Sequence, residues 1–308
     1  MRILVLGAGS TGGFFGARLA AAGRDVTFLV RPKRADQLRE RGLRVLADGA
    51  EQTITPTLVT ANNVHGPYDV VLVSVRSTAL ESALDDSATA VGPHTMVVPF
   101  LNGMSHLDML TARFGTAVLG GVVKVATVLN DRGDIVRLGS FAGITVGELN
   151  GHPSVRLEQL RQELSGAGFQ VDVSPSIVTA MWAKWAFITT LGGMTCLMRA
   201  PVGDIVAVPG GELLGPSLLA EGAAVAAAAG HPLPAAEVDA YTAMVTQPGS
   251  TLTASMYRDL VAGRPVEVEP VYGDLVARAR DLGVPTPLLD LATLNLRIHQ
   301  ERLRRQPG

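Results

Sequence analysis

Six glycines lie within the first 23 residues, and three of them form a pattern suited to binding phosphate groups. The short apolar run Arg2–Leu6 predicts a buried strand, and the spacing GxGxxG follows it directly, ahead of a small-residue helix predicted over 13–22. In that context Gly7 permits a tight turn, Gly9 lets a pyrophosphate approach the backbone, and Gly12 lets the helix pack closely. The free N–H groups at the start of the helix favour an anion. The residues predicted to bind the phosphates of a dinucleotide are Gly7, Gly9, Ser10, Thr11 and Gly12. The alternative is a tight strand-to-helix turn that binds no ligand.

The residue that follows the second predicted strand (25–30) distinguishes between two dinucleotides. NAD-binding folds usually place Asp or Glu there, where the carboxylate bonds the ribose hydroxyls. This chain has Arg31 instead, with no carboxylate at that point. A guanidinium can form a charge-assisted, bidentate pair with a 2′-phosphate, so Arg31 predicts NADP(H). The alternative is that Arg31 is an ordinary exposed loop charge.

Lys184 lies in an otherwise apolar stripe of a predicted helix. Residues three and four positions apart share a helix face, and on that face its neighbours are Ala180, Met181, Phe187 and Ile188. Burial in such surroundings lowers the pKa of a lysine towards neutrality, which suits a general acid. The alternative is a surface lysine whose stem covers apolar area while its ammonium stays in water.

Asn102 and Glu267 are two further polar candidates. Asn102 precedes Gly103 after an apolar strand predicted over 95–100, at the carboxyl edge of a sheet, where ligands bind. Its amide can bond two ligands, although Asn-Gly is also a common turn. Glu267 lies among apolar residues after a helix break. It can pair with Lys184, or it can be a solvated acid at a helix N-terminus.

The elements that position these residues change in character along the chain. Strands alternate with helical stretches over residues 2–100, which implies βαβ units and a parallel sheet. Strands predicted over 118–128, 135–138 and 143–147, with a hairpin turn at 130–134, indicate an antiparallel extension. After Val173 the strand signals largely end, and Ser174-Pro175 predicts the start of a long helix. The long helix is predicted to end near residue 198. Further helices are predicted over 212–230, 235–245, 253–263, 267–282 and 288–304. We therefore predict an α/β chain with a Rossmann-type NADP-binding domain (1–172) followed by an all-helical domain (173–308).

Composition excludes several functional classes. A net charge of −2 without a basic stripe argues against nucleic-acid binding. The single cysteine, Cys196, excludes a disulfide framework and a CxxC zinc site, and the six histidines form no HxH or HxxxH pair, so we expect no metal. The most apolar stretch (222–230) is far shorter than the ~20 residues of a membrane span. Because the N-terminus also lacks a signal-peptide pattern, we expect a cytoplasmic protein without a membrane partner.

Taken together, these segments resemble one family along nearly the whole chain, the ketopantoate reductases (2-dehydropantoate 2-reductases). The resemblance is carried by the glycine-rich start, Arg31, VVLVSVRS (70–77), PFLNGM (99–104), the Trp-x-Lys helix, APVGDI (200–205) and the segment 255–273. It implies an oxidoreductase that uses NADPH to reduce a 2-oxo acid to a 2-hydroxy acid. For the family, that reaction is 2-dehydropantoate to pantoate, a step of pantothenate biosynthesis.

The resemblance also implies roles for single residues. Lys184 corresponds to the catalytic lysine that protonates the ketone oxygen, and Glu267 to the glutamate beside that lysine, the substrate and the cofactor. Ser255 corresponds to the serine that holds the substrate carboxylate, and Asn102 to the asparagine at the junction of nicotinamide and substrate. Arg76 stands where a lysine usually approaches the cofactor, so the charge is kept while the geometry changes.

Ile188 and Gly192 depart from the family pattern, which commonly places substrate-binding asparagines four and eight residues after the lysine. A site without these amides binds a hydroxyl poorly, because burying an unpaired hydroxyl costs ~1–3 kcal/mol. Thr189, Thr190 or Thr195 can compensate from neighbouring faces. The alternatives to 2-dehydropantoate are therefore a more apolar 2-oxo acid, or a non-catalytic role in binding NADP(H).

The stretch 220–229 is so rich in alanine and glycine that it must pack closely against a neighbour. That neighbour is either its own domain or a second subunit, so a homodimer stays open.

Overall fold

The computed structural model describes residues 1–47 and 49–305 of the chain. These form two compact units, of which the first contains Met1–Leu101 and His106–Ile177. The second contains the residues from Val178 onward together with the short segment Asn102–Ser105. The main division therefore falls at Ile177, and the turn that carries Asn102 groups with the helical unit rather than with the strand that precedes it.

The first unit contains all the strands and the first helices. The strands are β1 (Arg2–Leu6), β2 (Asp25–Leu29), β3 (Leu43–Ala47), β4 (Ala50–Ile54), β5 (Thr57–Val59), β6 (Val70–Val73), β7 (Met96–Pro99), β8 (Leu119–Leu129), β9 (Ile135–Glu148) and β10 (Gln170–Val173). The helices are α1 (Ser10–Ala21), α2 (Pro32–Arg41), α3 (Leu80–Asp86), α4 (Ser105–Phe114) and α5 (Val155–Leu164). One-turn helices connect some of these elements.

Five strands form a parallel sheet in the order β5-β2-β1-β6-β7. All four residues of β6 and four of the five residues of β1 are buried, as expected for central strands covered on both faces. The strand order reverses direction between β1 and β6, and ligands of such sheets bind outside the carboxyl ends at that point. The predicted α/β fold is thereby confirmed, and the glycine-rich loop after β1 lies at this edge.

A second, mixed sheet completes the first unit in the order β10-β9-β3-β4, with β8 also paired to β9. The β8–β9 hairpin is antiparallel, as predicted, whereas β3 and β10 both join β9 in parallel. The separate strands predicted at 135–138 and 143–147 were wrong, because β9 runs unbroken from Ile135 to Glu148. An irregularity opposite Val125 and Thr127 lets β9 continue through its exposed middle residues, where the burial pattern breaks.

The second unit is helical, as predicted. Its helices are α6 (Ile177–Met198), α7 (Val202–Val206), α8 (Gly211–Ala228), α9 (Ala235–Val245), α10 (Ser255–Val261), α11 (Asp274–Asp281) and α12 (Pro287–Arg305). The start of α6 predicted at Ser174-Pro175 was wrong, because the Ser174 hydroxyl accepts the Ser176 N–H at 3.1 Å and forms a turn ahead of the helix. The helix predicted over 267–282 is continuous over 268–281, and its first part, Glu269–Gly273, is π-helical ahead of α11. We call Glu269–Gly273 the π turn.

Two reciprocal hydrogen bonds join α6 to the π turn. Trp185 Nε1 donates to the Val271 carbonyl oxygen at 2.7 Å, and the Tyr272 hydroxyl donates to the Thr189 carbonyl oxygen at 2.7 Å. Both aromatic side chains are buried, Trp185 at 1% exposure and Tyr272 at 0%. Burial raises the pKa of Tyr272 well above its usual value, so the phenol remains a donor. Each bond thus satisfies a buried aromatic donor with a backbone carbonyl of the other segment, and breaking it would leave that donor without an acceptor.

Gly192 provides the space that Tyr272 occupies. A β-carbon built on Gly192 would lie 2.5 Å from the Tyr272 hydroxyl oxygen and 3.8 Å from the β-carbon of Ala254. The next glycine of α6, Gly193, faces the methyl groups of Leu218 at 3.3 Å, a less severe contact with a flexible side chain. Gly192 is therefore the residue that lets α6 approach the π turn closely.

We predict that Gly192→Ala lowers the free energy of unfolding by about 1–3 kcal/mol, because the added methyl pushes the Tyr272 hydroxyl off Thr189. Tyr272→Phe in the same chain removes the clashing oxygen, so the double variant should lose less stability than the sum of the single variants. Urea unfolding of the four proteins measures this coupling. Gly193→Ala is the matched control and should cost less than Gly192→Ala. Additive single effects would contradict the packing described here.

Candidate active site

The glycine-rich loop of the first unit has the geometry of a phosphate-binding turn. Gly7 has a φ of +94°, a conformation that favours glycine, and a β-carbon there would lie 3.0 Å from the Ser74 carbonyl oxygen. A β-carbon on Gly12 would lie 2.6 Å from the Gly7 carbonyl oxygen and 2.7 Å from the Ser74 β-carbon. A β-carbon on Gly9, by contrast, would meet nothing within 4 Å. Two glycines thus close the turn, and the third leaves room at its surface for a ligand.

The first turn of α1 fits an anion. The helix begins at Ser10, three residues before the predicted start, so Ser10 and Thr11 lie in the first turn. Gly9 is the N-cap and provides no side-chain acceptor, and the first turn contains no acidic residue. Because the first N–H groups of a helix have no intrahelical partner, these amides are suited to receive a phosphate.

Two arginines follow the strands on either side of β1. Arg31 is the exposed N-cap of α2, two residues after β2, and its backbone carbonyl accepts the N–H groups of Arg34 and Ala35 at 3.0 Å. Arg76 is exposed three residues after β6, at the start of a one-turn helix. Since β2 and β6 both pair with β1 in parallel, the two cations lie at the same edge of the sheet as the glycine-rich loop. This edge therefore combines an anion-binding turn with two cations.

Lys184 occupies a partly exposed position on a helix whose adjacent residues are buried. Ala183 is 0% exposed and Trp185 is 1% exposed. One turn further along, Phe187 stacks on Tyr241 with ring centroids 4.5 Å apart. Lys184 is the sole lysine after residue 124 in the sequence. The buried residues around Lys184 fix the backbone of α6. Lys184 is the charged, partly exposed residue at this point of the helix.

The π turn connects Lys184 to the two other predicted catalytic or binding groups. Glu267 is partly buried and lies directly before Val268, at the start of the helical segment that contains the π turn. Gly103 has a φ of +81°, and a β-carbon there would lie 2.5 Å from the Pro270 carbonyl oxygen. The exposed Asn102 immediately precedes that contact, just as Lys184 immediately precedes Trp185. Two distant parts of the sequence thus pack against the π turn that follows Glu267, and such helical irregularities are frequent at functional sites.

Ser255 lies at the start of α10, not within the helix as the predicted 253–263 boundaries implied. It is exposed and follows the N-cap Ala254, whose β-carbon is 3.8 Å from the β-carbon position of Gly192. A hydroxyl in the first turn does not compete with the bonds of the helix interior and is available to a ligand. The start of α10 is therefore attached to the same helix as Lys184.

The face of α6 beyond Lys184 offers apolar surface. Thr189, Thr190 and Thr195 are each 0% exposed. Their hydroxyls donate to α6 carbonyl oxygens at 2.9, 2.8 and 2.6 Å, so they are already bonded within the helix. The space beside Gly192 contains the Tyr272 hydroxyl, which is bonded to Thr189. Ile188 is the partly exposed residue that remains at this face.

The sequence reasoning did not identify Tyr272. In the sequence, Gly192 was interpreted as the loss of a substrate-binding side chain. In the structure, the space beside Gly192 is filled by Tyr272, which lies 80 residues further along the chain. The available signal was the glycine itself, because a glycine inside a buried helix often marks the close approach of another group. The partner that makes the approach cannot be deduced from local pattern.

Three further observations concern metal-type clusters, membrane spans and the cysteine among the described residues. Residues 1–47 and 49–305 contain no group of three or more His, Cys, Asp or Glu arranged to hold a metal ion. None of the helices in those ranges combines the length and apolar character needed to cross a membrane. Burial raises the pKa of the Cys196 thiol to about 12, which makes it a poor nucleophile at neutral pH.

Comparison with known proteins gives consistent matches along the chain. Residues 3–151 match the family model of ketopantoate reductase PanE/ApbA, and residues 176–300 match the model of its C-terminal domain. The uncharacterized oxidoreductase YkpB of Bacillus subtilis (strain 168) is 32% identical over 97% of this chain and 99% of its own length. A 2-dehydropantoate 2-reductase of Mesorhizobium japonicum is 28% identical over 94% of this chain and 95% of its own.

A solved structure also shares the fold. The ternary structure of D-mandelate dehydrogenase with NADH and anilino(oxo)acetate superimposes with a TM-score of 0.90 at 23% identity, covering 99% of this chain and 100% of that one. Two family models that together span most of the chain, and a full-length relative at 32% identity, lead to one assignment. The chain belongs to the ketopantoate reductase family, whose members are oxidoreductases acting on CH–OH groups.

Proposed function

We propose that this protein is an NADPH-dependent reductase that converts a 2-oxo acid to a 2-hydroxy acid. One observation carries the proposal. Helix α6, which contains Lys184, and the turn that contains Asn102 both pack against the π turn. Glu267 lies two residues before the π turn. A protein that only bound a dinucleotide would need the glycine-rich loop of the first unit but none of these groups.

The choice of NADPH rests on the residues after β2. Arg31 is exposed there, and no carboxylate stands at the position that would bond the ribose hydroxyls of NAD. The fold itself does not decide between the cofactors, because the D-mandelate dehydrogenase of the same fold was solved with NADH. Glycines 7, 9 and 12 and the first turn of α1 would hold the pyrophosphate, Arg31 would pair with the 2′-phosphate, and Arg76 would approach the cofactor from the loop after β6. The bound cofactor would provide the hydride.

The residues of the second unit provide acid catalysis and binding in this proposal. The Lys184 ammonium donates a proton to the keto oxygen as negative charge develops there. Glu267 stabilises the ammonium and orients it. The Ser255 hydroxyl and the N–H groups at the start of α10 donate hydrogen bonds to the substrate carboxylate. The Asn102 amide bonds the substrate beside the cofactor. The apolar packing on both sides of Lys184 limits the positions that its stem can take.

Two substrates follow from different observations. The relatives named 2-dehydropantoate 2-reductase favour 2-dehydropantoate, which carries a hydroxyl. The α6 face favours a more apolar 2-oxo acid, because Ile188 is partly exposed there and the nearby hydroxyls are already bonded. We take the apolar acid as the better fit to the geometry. A cytoplasmic location and a homodimer remain predictions from the sequence.

We predict that Lys184→Ala lowers kcat by ~10²–10⁴, the range for loss of a general acid, while NADPH affinity stays nearly unchanged. The cofactor loop lies in the other unit, so the substitution separates chemistry from cofactor binding. The measurement is NADPH oxidation under saturating 2-oxo acid, alongside an NADPH titration of the same variant.

Lys124→Ala is the control for that experiment. It removes another lysine of this chain, from an exposed position on β8, and should leave turnover unchanged. Turnover of Lys184→Ala close to that of the wild type would refute the assignment. Tight NADPH binding by a wild type that reduces none of the 2-oxo acids tested would favour the non-catalytic alternative.

The matched acids 2-dehydropantoate and trimethylpyruvate differ only by the hydroxyl of the former. Burying that hydroxyl without a partner costs ~1–3 kcal/mol, so kcat/KM for trimethylpyruvate should be about tenfold higher or more. Initial rates with each acid at fixed NADPH measure the ratio. A tenfold preference for 2-dehydropantoate would instead identify a pantoate-forming enzyme and would require a polar partner that α6 does not provide.

A further inference from the structure

Arg34 lies one helical turn after Arg31 and bonds the glycine-rich loop from within the protein. Its Nη2 and Nε donate to the Ala8 carbonyl oxygen at 3.1 and 3.3 Å. Nη2 also donates to the Gly133 carbonyl oxygen at 3.1 Å, and Nη1 donates to Gln37 Oε1 at 2.6 Å. No motif in the sequence assigned Arg34 a role. Its donors are nonetheless shared between the loop after β1 and the hairpin that joins β8 to β9.

The position of Arg34 is built into the fold. The side chain is partly buried, and that burial lowers the pKa of Arg34 while the nearby carboxylate of Asp134 raises it. An arginine remains charged under these conditions, so a desolvated cation faces the backbone of the loop. Its hydrogen bonds to carbonyl oxygens are charge-assisted and stronger than those between neutral groups.

The bond to Ala8 has a consequence for the next residue. The Ala8 carbonyl and the Gly9 N–H belong to one planar, trans peptide group, so they point in opposite directions. When Arg34 holds the carbonyl on the inner side of the loop, the Gly9 N–H must face the other side. Gly9 is also the N-cap of α1, with open space where its side chain would be. The small residues of the glycine-rich loop provide few side chains that could fix its conformation. The side chain of Arg34, which belongs to α2 and not to the loop, fixes it instead.

The hairpin gives Arg34 a rigid support. Gln37 Nε2 and Arg41 Nη1 donate to the Arg132 carbonyl oxygen at 2.9 and 2.5 Å, and Arg41 Nη2 lies 3.2 Å from Asp134 Oδ1. Several side chains of helix α2 therefore donate hydrogen bonds to the hairpin turn. Arg34 differs from Gln37 and Arg41 in that it alone of these three also bonds the glycine-rich loop, among the contacts described for residues 1–47 and 49–305.

We propose that Arg34 is a positioning residue for the cofactor: it fixes the Ala8–Gly9 peptide and so aligns the amides that receive the pyrophosphate. The inference rests on the proposed function in requiring a nicotinamide dinucleotide at this loop. The pyrophosphate is common to NADH and NADPH, so loss of Arg34 affects both cofactors equally. Arg31, in contrast, acts on the 2′-phosphate that NADPH alone carries.

Fluorescence titration of NADPH and of NADH with wild type and four variants tests this distinction. Arg34→Ala should raise both dissociation constants by the same factor, on the order of tenfold, as charge-assisted bonds to the loop are lost. Arg31→Ala should raise the constant for NADPH on the order of tenfold and leave that for NADH within about twofold. Arg41→Ala removes an arginine from the same helix and hairpin and should leave both within about twofold. Arg34→Lys keeps the charge with fewer donors and should fall between wild type and Arg34→Ala.

The outcomes separate the inference from the proposed function. Weakening of NADPH alone by Arg34→Ala would make Arg34 a second contact of the 2′-phosphate and overturn the inference, as would unchanged binding of both. Equal weakening by Arg34→Ala and Arg41→Ala would assign the effect to the hairpin rather than to Ala8. If wild type binds NADH more tightly than NADPH, the choice of NADPH fails, while equal loss of both cofactors in Arg34→Ala still supports the inference. Should Arg34→Ala not fold, the Arg34→Lys titrations decide, because their losses must also be equal for the two cofactors.

Discussion

The exchange of hydrogen bonds between α6 and the π turn is the constraint on which the candidate active site of the second unit depends. Trp185 and Tyr272 are buried aromatic donors on different segments, and each bonds a backbone carbonyl of the other segment. A buried donor without an acceptor is costly, so these two bonds fix the relative position of the segments as well as stabilising them. Lys184 is adjacent to Trp185, and Glu267 lies two residues before the π turn that carries Tyr272. The positions of the proposed acid and its carboxylate therefore follow from bonds that neither residue makes itself.

The same packing determines what the site can recognise. The Tyr272 hydroxyl uses the space beside Gly192, and three threonine hydroxyls bond carbonyls within α6, so these polar groups are satisfied inside the protein. The face that follows Lys184 is left apolar. The lysine of this face is retained, while the neighbouring hydroxyls are already bonded inside the protein. The proposed preference for a more apolar 2-oxo acid rests on this combination.

The sequence was most informative where function depends on local geometry. The predicted roles of Gly7, Gly9 and Gly12 follow from strand, loop and helix in immediate succession. The structure gives Gly7 a positive φ and Gly12 close backbone contacts, and it leaves open space at Gly9. The sequence was least informative where contacts join distant segments. The placement of Gly103 on Pro270, the filling of Gly192 by Tyr272 and the bond from Arg34 to Ala8 all depend on packing between elements that no local pattern specifies. Helix boundaries failed for a related reason at Ser255, where the start of α10 is set by its neighbours rather than by a capping side chain.

A crystal structure of the ternary complex with NADP⁺ and an unreactive 2-oxo acid analogue tests the central claim most directly. If Lys184 is the general acid, its Nζ should lie about 2.6–3.2 Å from the oxygen of the analogue that corresponds to the ketone oxygen. The account also predicts Ile188 against the substituent of the acid, with the Tyr272 hydroxyl still bonded to the Thr189 carbonyl. A Tyr272 hydroxyl turned away from Thr189 to bond the ligand, or a Lys184 directed away from the analogue, would contradict it.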